Sequence, residues 1–121
     1  MEITPRNCNR AYAAKNMPLD ADFDSLVIDF KEMPMGSIQT IWRAAVGSGG
    51  LFKVYASNLP DVASFDPEGS LIDGSEWTVH NADGGRIWIR DRLAFRYALM
   101  RYTAGSMTAG NVDIIAIGKR T

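Results

Sequence analysis

The stretch at residues 37–57 reads SIQTIWRAAVGSGGLFKVYAS and carries the clearest structural pattern of the chain. Apolar and polar side chains alternate along its first part, so that Ile38 and Trp42 fall on one face and Trp42 is predicted to lie in the core. The next residues, GSGG at 47–50, are typical of a turn. Alternation then resumes in LFKVYAS. Two alternating runs joined by so short a link predict an antiparallel hairpin.

Shorter runs of β-forming residues follow the same period of two on both sides of this stretch. They are SLVIDF at 25–30, EWTV at 76–79, RIWIR at 86–90, FRYALMRYT at 95–103 and NVDIIAIG at 111–118. Gly, Pro and Asn residues separate the runs and mark turns between them. The chain is therefore predicted to consist mainly of short strands.

Two further links are predicted to close antiparallel hairpins. NADGG at 81–85 contains an Asp-Gly pair suited to positive φ, and it joins the runs on either side of it. AGSMTAG at 104–110 joins the last two runs. The final run is apolar on both faces apart from Asp113, which is typical of a strand covered on both sides.

The pattern predicts an all-β fold with about eight strands and no convincing amphipathic helix longer than roughly two turns. Architectures of the βαβ type are excluded, because parallel strands need long crossover connections. Antiparallel strands that each bury one face favour a two-sheet sandwich with jelly-roll-like connectivity. A single closed barrel is the alternative.

Residues 1–24 differ from the rest of the chain and are predicted to form an extended N-terminal arm before a sandwich domain over 25–121. Asn and Pro residues punctuate the segment, and a helix over 10–15 would span only a turn or two. We expect the domain to fold without this arm. No metal site is predicted, because a calcium loop needs a central Gly and a distal Glu that are missing around the acidic triplet Asp20, Asp22 and Asp24.

The composition excludes several classes of protein. A chain of 121 residues has room for one domain, and its 46% hydrophobic content is too high for a disordered protein. The formal net charge of −1 gives no electrostatic reason to bind nucleic acid. The sequence shows neither an apolar run of transmembrane length nor the apolar segment of a secretory signal, which predicts a cytoplasmic origin and no membrane partner.

No catalytic or cofactor site is predicted. The single Cys8 and the single His80 are too few for a disulfide framework or a thiolate–imidazole metal cluster. Cys8 is expected to be a reduced thiol, and His80 a solvated or structural turn residue. The GSGG turn lacks the following Lys-Ser/Thr pair and helix of a phosphate loop, and no Gly-x-Ser-x-Gly nucleophile motif occurs.

The aromatic residues suggest two kinds of binding surface. Trp88 shares a face of its run with Arg86 and Arg90 and is predicted to point outward, with the two intervening isoleucines inward. An outward Trp between two Arg residues is typical of a protein interface, which favours a protein partner over nucleic acid. The alternative is an aromatic platform for a sugar ring, formed by Tyr55, Trp77 or Trp88.

Several stretches together resemble a family of small β-sandwich proteins from the virion gene clusters of tailed phages. They are SIQTIW at 37–42, GLFKVYASN at 50–58, Trp77, FRYALMRYT at 95–103 and GK at 118–119. In that family, a Ser-hydrophobic-Gln-x-x-Trp strand precedes a Gly-led strand that ends in Ala-Ser-Asn, and an Arg-Tyr-x-x-x-x-Tyr-Thr strand follows. Its members resemble jelly-roll head decoration, or cement, proteins.

The resemblance implies a structural protein without catalytic groups or cofactors. It implies binding to the outer surface of the major capsid protein lattice, on the exterior of a capsid made in the host cytoplasm. Other copies of the chain, as dimers or trimers, are the second implied partner. A tail-tube or connector component and a carbohydrate-binding module of a tail or fibre are the alternatives. The candidate contact residues are Arg86, Trp88 and Arg90 with Arg6, Arg10 and Tyr12 of the arm.

Overall fold

The computed structural model describes residues 2–5, 10–31, 33–66, 71–72, 75–79 and 81–119. Their strands are, in chain order, β1 (Glu2–Ile3), β2 (Arg10–Pro18), β3 (Phe23–Asp24), β4 (Val27–Asp29), β5 (Met35–Val46), β6 (Gly50–Ser57), β7 (Trp77–Val79), β8 (Ala82–Arg90), β9 (Tyr97–Thr103) and β10 (Ala109–Lys119). A 3-10 turn at Val62–Phe65 is the only helical element among the described residues.

The strands form two sheets that pack face to face. Sheet A has the order β1-β4-β9-β6-β7, with the short β3 also paired to β9, and sheet B has the order β2-β10-β5-β8. All pairings are antiparallel except that of β1 with β4. The predicted two-sheet antiparallel sandwich is confirmed, and the strands do not close into a single barrel.

The connectivity is that of a jelly roll. Without the two-residue strands β1 and β3, eight strands remain, and they pair from the ends of the chain inward. Strand β2 pairs with β10, β4 with β9, β5 with β8 and β6 with β7. A long antiparallel ribbon of this kind, folded over on itself, gives two four-stranded sheets.

The three predicted hairpins are wrong, because the two strands of each predicted hairpin belong to different sheets. The link at 47–50 leads from β5 in sheet B to β6 in sheet A. The predicted turn at 81–85 lies mostly within β8 of sheet B, which follows β7 of sheet A, and the link at 104–108 leads from β9 in sheet A to β10 in sheet B. Among the described strands, only the consecutive strands β6 and β7 pair with each other, and every other pairing joins strands that are not consecutive in the chain, as the nested order of the jelly roll requires.

The core between the sheets is centred on a cluster of aromatic rings. Trp42 is only 9% exposed, and the prediction that it lies in the core is confirmed. Its ring centre lies 6.4 Å from that of Phe52, which also contacts Tyr102 at 4.7 Å and Trp77 at 6.1 Å. The buried Trp77 Nε1 donates a hydrogen bond of 3.1 Å to the Thr40 hydroxyl, so that the polar end of the indole is also satisfied.

The described part of the predicted arm belongs to the sandwich. Strand β2 pairs with β10 along sheet B, and the side chains of Ala13 and Leu19 are buried in the core. Asp22 accepts a hydrogen bond of 2.7 Å from the Ala104 N–H, and Asp24 forms an ion pair with Arg101. The prediction of an arm separate from the domain is wrong for these residues, because β2 supplies the outer neighbour that the buried strand β10 needs.

Candidate interaction surface

The outer face of sheet A is covered by the chain itself. The long connection between β6 and β7 contains the 3-10 turn, whose Phe65 is fully buried against this face. Phe65 forms a second, small apolar cluster with outward side chains of the sheet, namely Val27, Tyr55, Tyr97 and Leu99. This half of the sandwich therefore has apolar packing on both of its faces.

Arg101 connects the covering segment to sheet A. Its Nε and Nη2 donate to the two carboxylate oxygens of Asp24 at 2.9 and 3.2 Å, and Nη2 also donates to Asp66 at 3.2 Å. Asp66 directly follows the 3-10 turn. The guanidinium carbon lies 5.1 Å from the ring centre of Tyr55. These contacts hold the covering segment down on the sheet.

The outer face of sheet B has a different character. On β5 and β10, the residues Ile38, Thr40, Ile114 and Ala116 are fully buried in the core. Since side chains alternate along a strand, their sequence neighbours point away from the core. We call the apolar members of this outward set the isoleucine face: Tyr12, Ile41, Ile87, Ile89, Ile115 and Ile117.

The edges of the isoleucine face are exposed. On β8, Ile87 and Ile89 are 50% and 59% exposed, and Tyr12 on β2 is 39% exposed. Ile115, on the interior strand β10, is buried. A depression of about 160 Å³ at one end of the face is lined by residues that include Ile89 and Ile117. No described segment lies over this face as the 3-10 turn lies over sheet A.

An ion pair between the buried Asp113 and the half-exposed Arg43 continues the outer face of sheet B toward the other end of its strands. Asp113 lies on β10 and pairs with Arg43 on β5. The Asn16 N–H, on β2, also donates to Asp113 at 2.8 Å. This backbone hydrogen bond, aided by Arg43 and Lys15 and opposed by burial, lowers the pKa of Asp113. The Asp113 carboxylate thus accepts hydrogen bonds from donors on both neighbouring strands. The accessible apolar part of the face is therefore the part that carries the isoleucines.

Trp88 points into the core, so its predicted outward orientation is wrong. It is 7% exposed and pairs in register with the buried Ile38. The inward face of β8 tolerates Arg86 and Arg90 because β8 is an edge strand, where long side chains reach solvent past the core. Their guanidinium carbons lie 5.9 Å from the ring of Trp77 and 5.6 Å from that of Trp88, respectively. The two isoleucines predicted to be inward are the outward residues of this strand.

The remaining predicted contact residues belong to the N-terminal segment. Arg10 and Tyr12 lie on β2 and are exposed on the outer side of sheet B. The Nζ of Lys15 lies 5.1 Å from the ring centre of Tyr12, on the same side of the sheet. Arg6 lies outside the described residues. The structure thus brings Arg10 and Tyr12 to the isoleucine face, and it separates them from the predicted residues of β8.

The rings considered as sugar platforms are buried. Tyr55, Trp77 and Trp88 are 6%, 5% and 7% exposed. A pyranose ring stacks on an open aromatic face, so these residues lack the surface that the carbohydrate-binding alternative requires. Cys8 and His80 lie outside the described residues.

Sequence reasoning missed the isoleucine face. Its signal was present in the last run, where Ile115 and Ile117 make the second face of the strand apolar. The pattern predicts a strand buried on both faces, and residues 112–116 of β10 are indeed buried. It does not indicate that the outward side chains of the edge strand β8, Ile87 and Ile89, are exposed. On β8, alternation correctly separates Arg86, Trp88 and Arg90 from Ile87 and Ile89. The prediction that the isoleucines form the inward face is wrong, because they form the outward one.

Comparisons of the chain with family models, with curated proteins and with solved structures found no match. No described residue belongs to a helix long and apolar enough to cross a membrane. In the described part of the chain, no group of three or more His, Cys, Asp or Glu side chains is arranged to hold a metal ion.

Proposed function

We propose that this chain is a structural protein of a tailed-phage virion, a capsid decoration protein that binds the outer surface of the major capsid protein lattice and stabilises the head. The observation that carries the proposal is the isoleucine face, whose residues Ile87 and Ile89 are at least half exposed, on a domain whose opposite face is covered by its own chain. The resemblance of the strand sequences to virion β-sandwich proteins supplies the identity of the assembly.

Exposed isoleucines on a sheet face suit a polypeptide partner better than a small molecule. Small ligands bind in concave pockets that enclose most of their surface, whereas exposed apolar patches with polar margins are typical of protein contacts. Ile87 and Ile89, exposed by half or more, make this patch costly to leave in water. Copies held on a repeating lattice also gain from avidity, so that each single contact need not be tight.

The test is the binding of the purified chain to expanded, DNA-filled heads of the phage that encodes it, stripped of this protein. We expect saturable co-sedimentation at a fixed copy number per head and an increase in the temperature at which the heads release DNA. Serum albumin at the same concentration controls for trapping in the pellet. Absence of saturable binding would overturn the proposal, as would binding to purified tails and not to heads.

A further inference from the structure

We propose that the depression at one end of the isoleucine face is an anchor pocket, which takes one apolar side chain from an acidic segment of the protein partner. The inference rests on the proposed function in one respect, namely that this face binds protein. It adds the chemistry of the partner segment and the place at which that segment is held.

The strand register explains why the depression lies where it does. Ile117 on β10, Ser37 on β5 and Ile89 on β8 stand side by side across sheet B. All three point outward, so the short serine side chain leaves a gap between two isoleucines. In the neighbouring row, Gln39 takes the corresponding place between two isoleucines, and it does not line the depression. The depression therefore follows from one small residue on β5.

The floor of the depression is fixed from the core side. At this level β5 and β10 each carry a glycine, Gly36 and Gly118, and the two pair in register. A Cβ at Gly36 would lie 2.7 Å from the ring of the buried Phe30, and a Cβ at Gly118 would collide with the buried Met33. The strand backbones thus rest directly on core side chains. The depression is therefore preformed, as binding pockets usually are.

The size and the lining of the depression suit one apolar side chain. Its volume is about 160 Å³, and Met35, Ile89 and Ile117 supply apolar walls. An apolar space of about 150 Å³ holds a molecule of the size of benzene. A leucine or phenylalanine side chain is of this size. Apolar anchors seated in pockets carry much of the binding energy in many protein interfaces.

The end of sheet B that holds the depression is basic. Arg10, Lys119 and Arg90 occupy the terminal positions of β2, β10 and β8 at this end, and the last two line the depression. The exposed Asp91 and Arg92 directly follow β8. Sheet B and these two residues thus bring four cations and one acid to this end. Charge complementarity favours a partner whose apolar residue has carboxylates beside it.

The surroundings of the depression favour a polypeptide as the source of this side chain. The depression opens onto the isoleucine face, where Ile87 and Ile89 are 50% and 59% exposed. A small molecule inside the depression would leave the neighbouring Ile87 in water. A polypeptide segment that places one side chain in the depression also covers the isoleucines next to it.

The first experiment titrates the isotope-labelled full chain with three blocked tripeptides and follows its backbone amide signals by NMR. Acetyl-Glu-Leu-Glu-amide has both expected features, whereas Glu-Ala-Glu lacks the apolar side chain and Lys-Leu-Lys lacks the carboxylates. We expect saturable shifts around Ser37, Ile89 and Lys119 with the first peptide, with a dissociation constant of about 1–10 mM. The other two should bind at least about fivefold more weakly. Equal binding of all three peptides, or shifts confined to other regions, would overturn the inference.

The second experiment compares Ser37→Leu with Gln39→Leu, in binding both to the Glu-Leu-Glu peptide and to the stripped phage heads. Each variant places a leucine between two isoleucines of the same face, but only Ser37→Leu fills the depression. We expect Ser37→Leu to weaken binding at least tenfold and Gln39→Leu to stay within about twofold of the wild type. If apolar area alone held the partner, both variants would strengthen binding, and that result would overturn the anchor pocket.

A third comparison tests the charge of the partner segment. Lys119→Glu and Lys15→Glu change the net charge equally on the same side of sheet B, but Lys15 lies roughly 15 Å from the depression along the strands. Lys119→Glu is expected to weaken binding of the Glu-Leu-Glu peptide about threefold to fivefold, and Lys15→Glu less than twofold. Equal effects of the two variants would show that no carboxylate lies beside the depression.

Head binding separates the inference from the proposed function. Heads that bind the wild type, Ser37→Leu and Gln39→Leu equally well would overturn the anchor pocket and leave the decoration role intact. Conversely, peptide binding with the expected variant profile in a chain that does not bind heads would support the pocket and count against the decoration role.

Discussion

Tyr102 shows how a single residue connects the two ends of this chain. Its ring packs against Phe52 in the core, and its hydroxyl donates a hydrogen bond of 2.7 Å to the Leu19 carbonyl, just after β2. Burial, and then the nearby carboxylates of Asp22 and Asp20, raise the pKa of Tyr102 to about 12. The hydroxyl therefore keeps its proton, and its role as a donor, throughout the neutral range.

Tyr102→Phe is predicted to lower the free energy of unfolding by about 1–3 kcal/mol, because it leaves the buried Leu19 carbonyl without its donor. Tyr12→Phe removes a hydroxyl from a side chain that is 39% exposed and serves as the control, with almost no expected change. Urea unfolding followed by tryptophan fluorescence measures both. Equal stability of the two variants would show that the hydrogen bond to Leu19 contributes nothing.

Asp29 makes stability depend on acid pH. Its two carboxylate oxygens accept hydrogen bonds of 3.0 and 3.1 Å from Arg96, and the Lys31 N–H donates to it at 2.8 Å. Burial alone would raise the pKa of Asp29, but these donors outweigh it and hold the pKa below its ordinary value of 3.8. A lowered folded-state pKa means that the stabilisation is complete above the unfolded value and is lost as the pH falls through the folded one.

The wild-type chain is accordingly predicted to lose stability as the pH falls below about 4. The Asp29→Asn variant has no carboxyl group to protonate at this position, so it should lose less stability in acid than the wild type. Some loss should remain, because Asp113 also has a lowered pKa and is protonated in the same pH range. Urea midpoints measured between neutral pH and about pH 2.5 test this. The exposed Asp61→Asn is the control, and an identical pH profile for the wild type and Asp29→Asn would contradict the assignment.

At the scale of elements, the link between β5 and β6 shows why short Gly/Ser turns do not always close hairpins. Gly47 has a φ of 117° and Gly49 a φ of 78°, both in the region that favours glycine. A Cβ at Gly47 would collide with the Ser106 carbonyl oxygen and approach the Met107 Cα to 2.7 Å. At Gly49 the nearest atom would be 3.8 Å away. The crossing turn thus packs against the link between β9 and β10.

Gly47→Ala is therefore predicted to destabilise the fold by about 2–4 kcal/mol, from backbone strain together with steric overlap. Gly49→Ala suffers only the backbone strain and is predicted to cost about 1 kcal/mol. Thermal unfolding of the two variants in parallel provides the comparison. A larger loss for Gly49→Ala would mean that the packing of the two links does not govern this turn.

The whole molecule depends on its N-terminal strand. Strand β2 forms the outer pair of β10, and Leu19, which follows it, is fully buried in the common core. Removal of residues 2–24 would expose both the edge of β10 and the apolar side chains beneath it. The expectation from sequence that the domain folds without this segment is thus replaced by the opposite one.

Deletion of residues 2–24 is predicted to abolish cooperative unfolding and the near-ultraviolet circular dichroism of the packed aromatic rings. Leu19→Ala is a milder change that should keep the fold and lower the free energy of unfolding by about 2–5 kcal/mol. A truncated chain that still unfolds cooperatively, together with a near-neutral Leu19→Ala, would show that the sandwich is stable without its first long strand.

Most of the long strands could be predicted from the amino-acid sequence, because a period of two and the residues that stop it are local properties. The runs around 37–46, 51–57 and 95–103 were predicted within a few residues of β5, β6 and β9, and the core position of Trp42 followed from alternation. The two-sheet class followed from the same local pattern, whereas the nine-residue strand β2 was not predicted, because its segment was assigned to an arm.

Only the tertiary structure decided which strands pair and which face of an edge strand is buried. Pairing joins residues such as Ile115 and Tyr12, about a hundred positions apart, and no short turn sequence distinguishes a hairpin from a crossing between sheets. On β8, alternation offers two faces, and the choice depends on whether the arginines can reach solvent past the edge of the core. Whether they can do so depends on the position of the neighbouring sheet. In this structure Arg86 and Arg90 share the inward face of β8, and Ile87 and Ile89 therefore point outward and form the surface on which the proposed assembly rests.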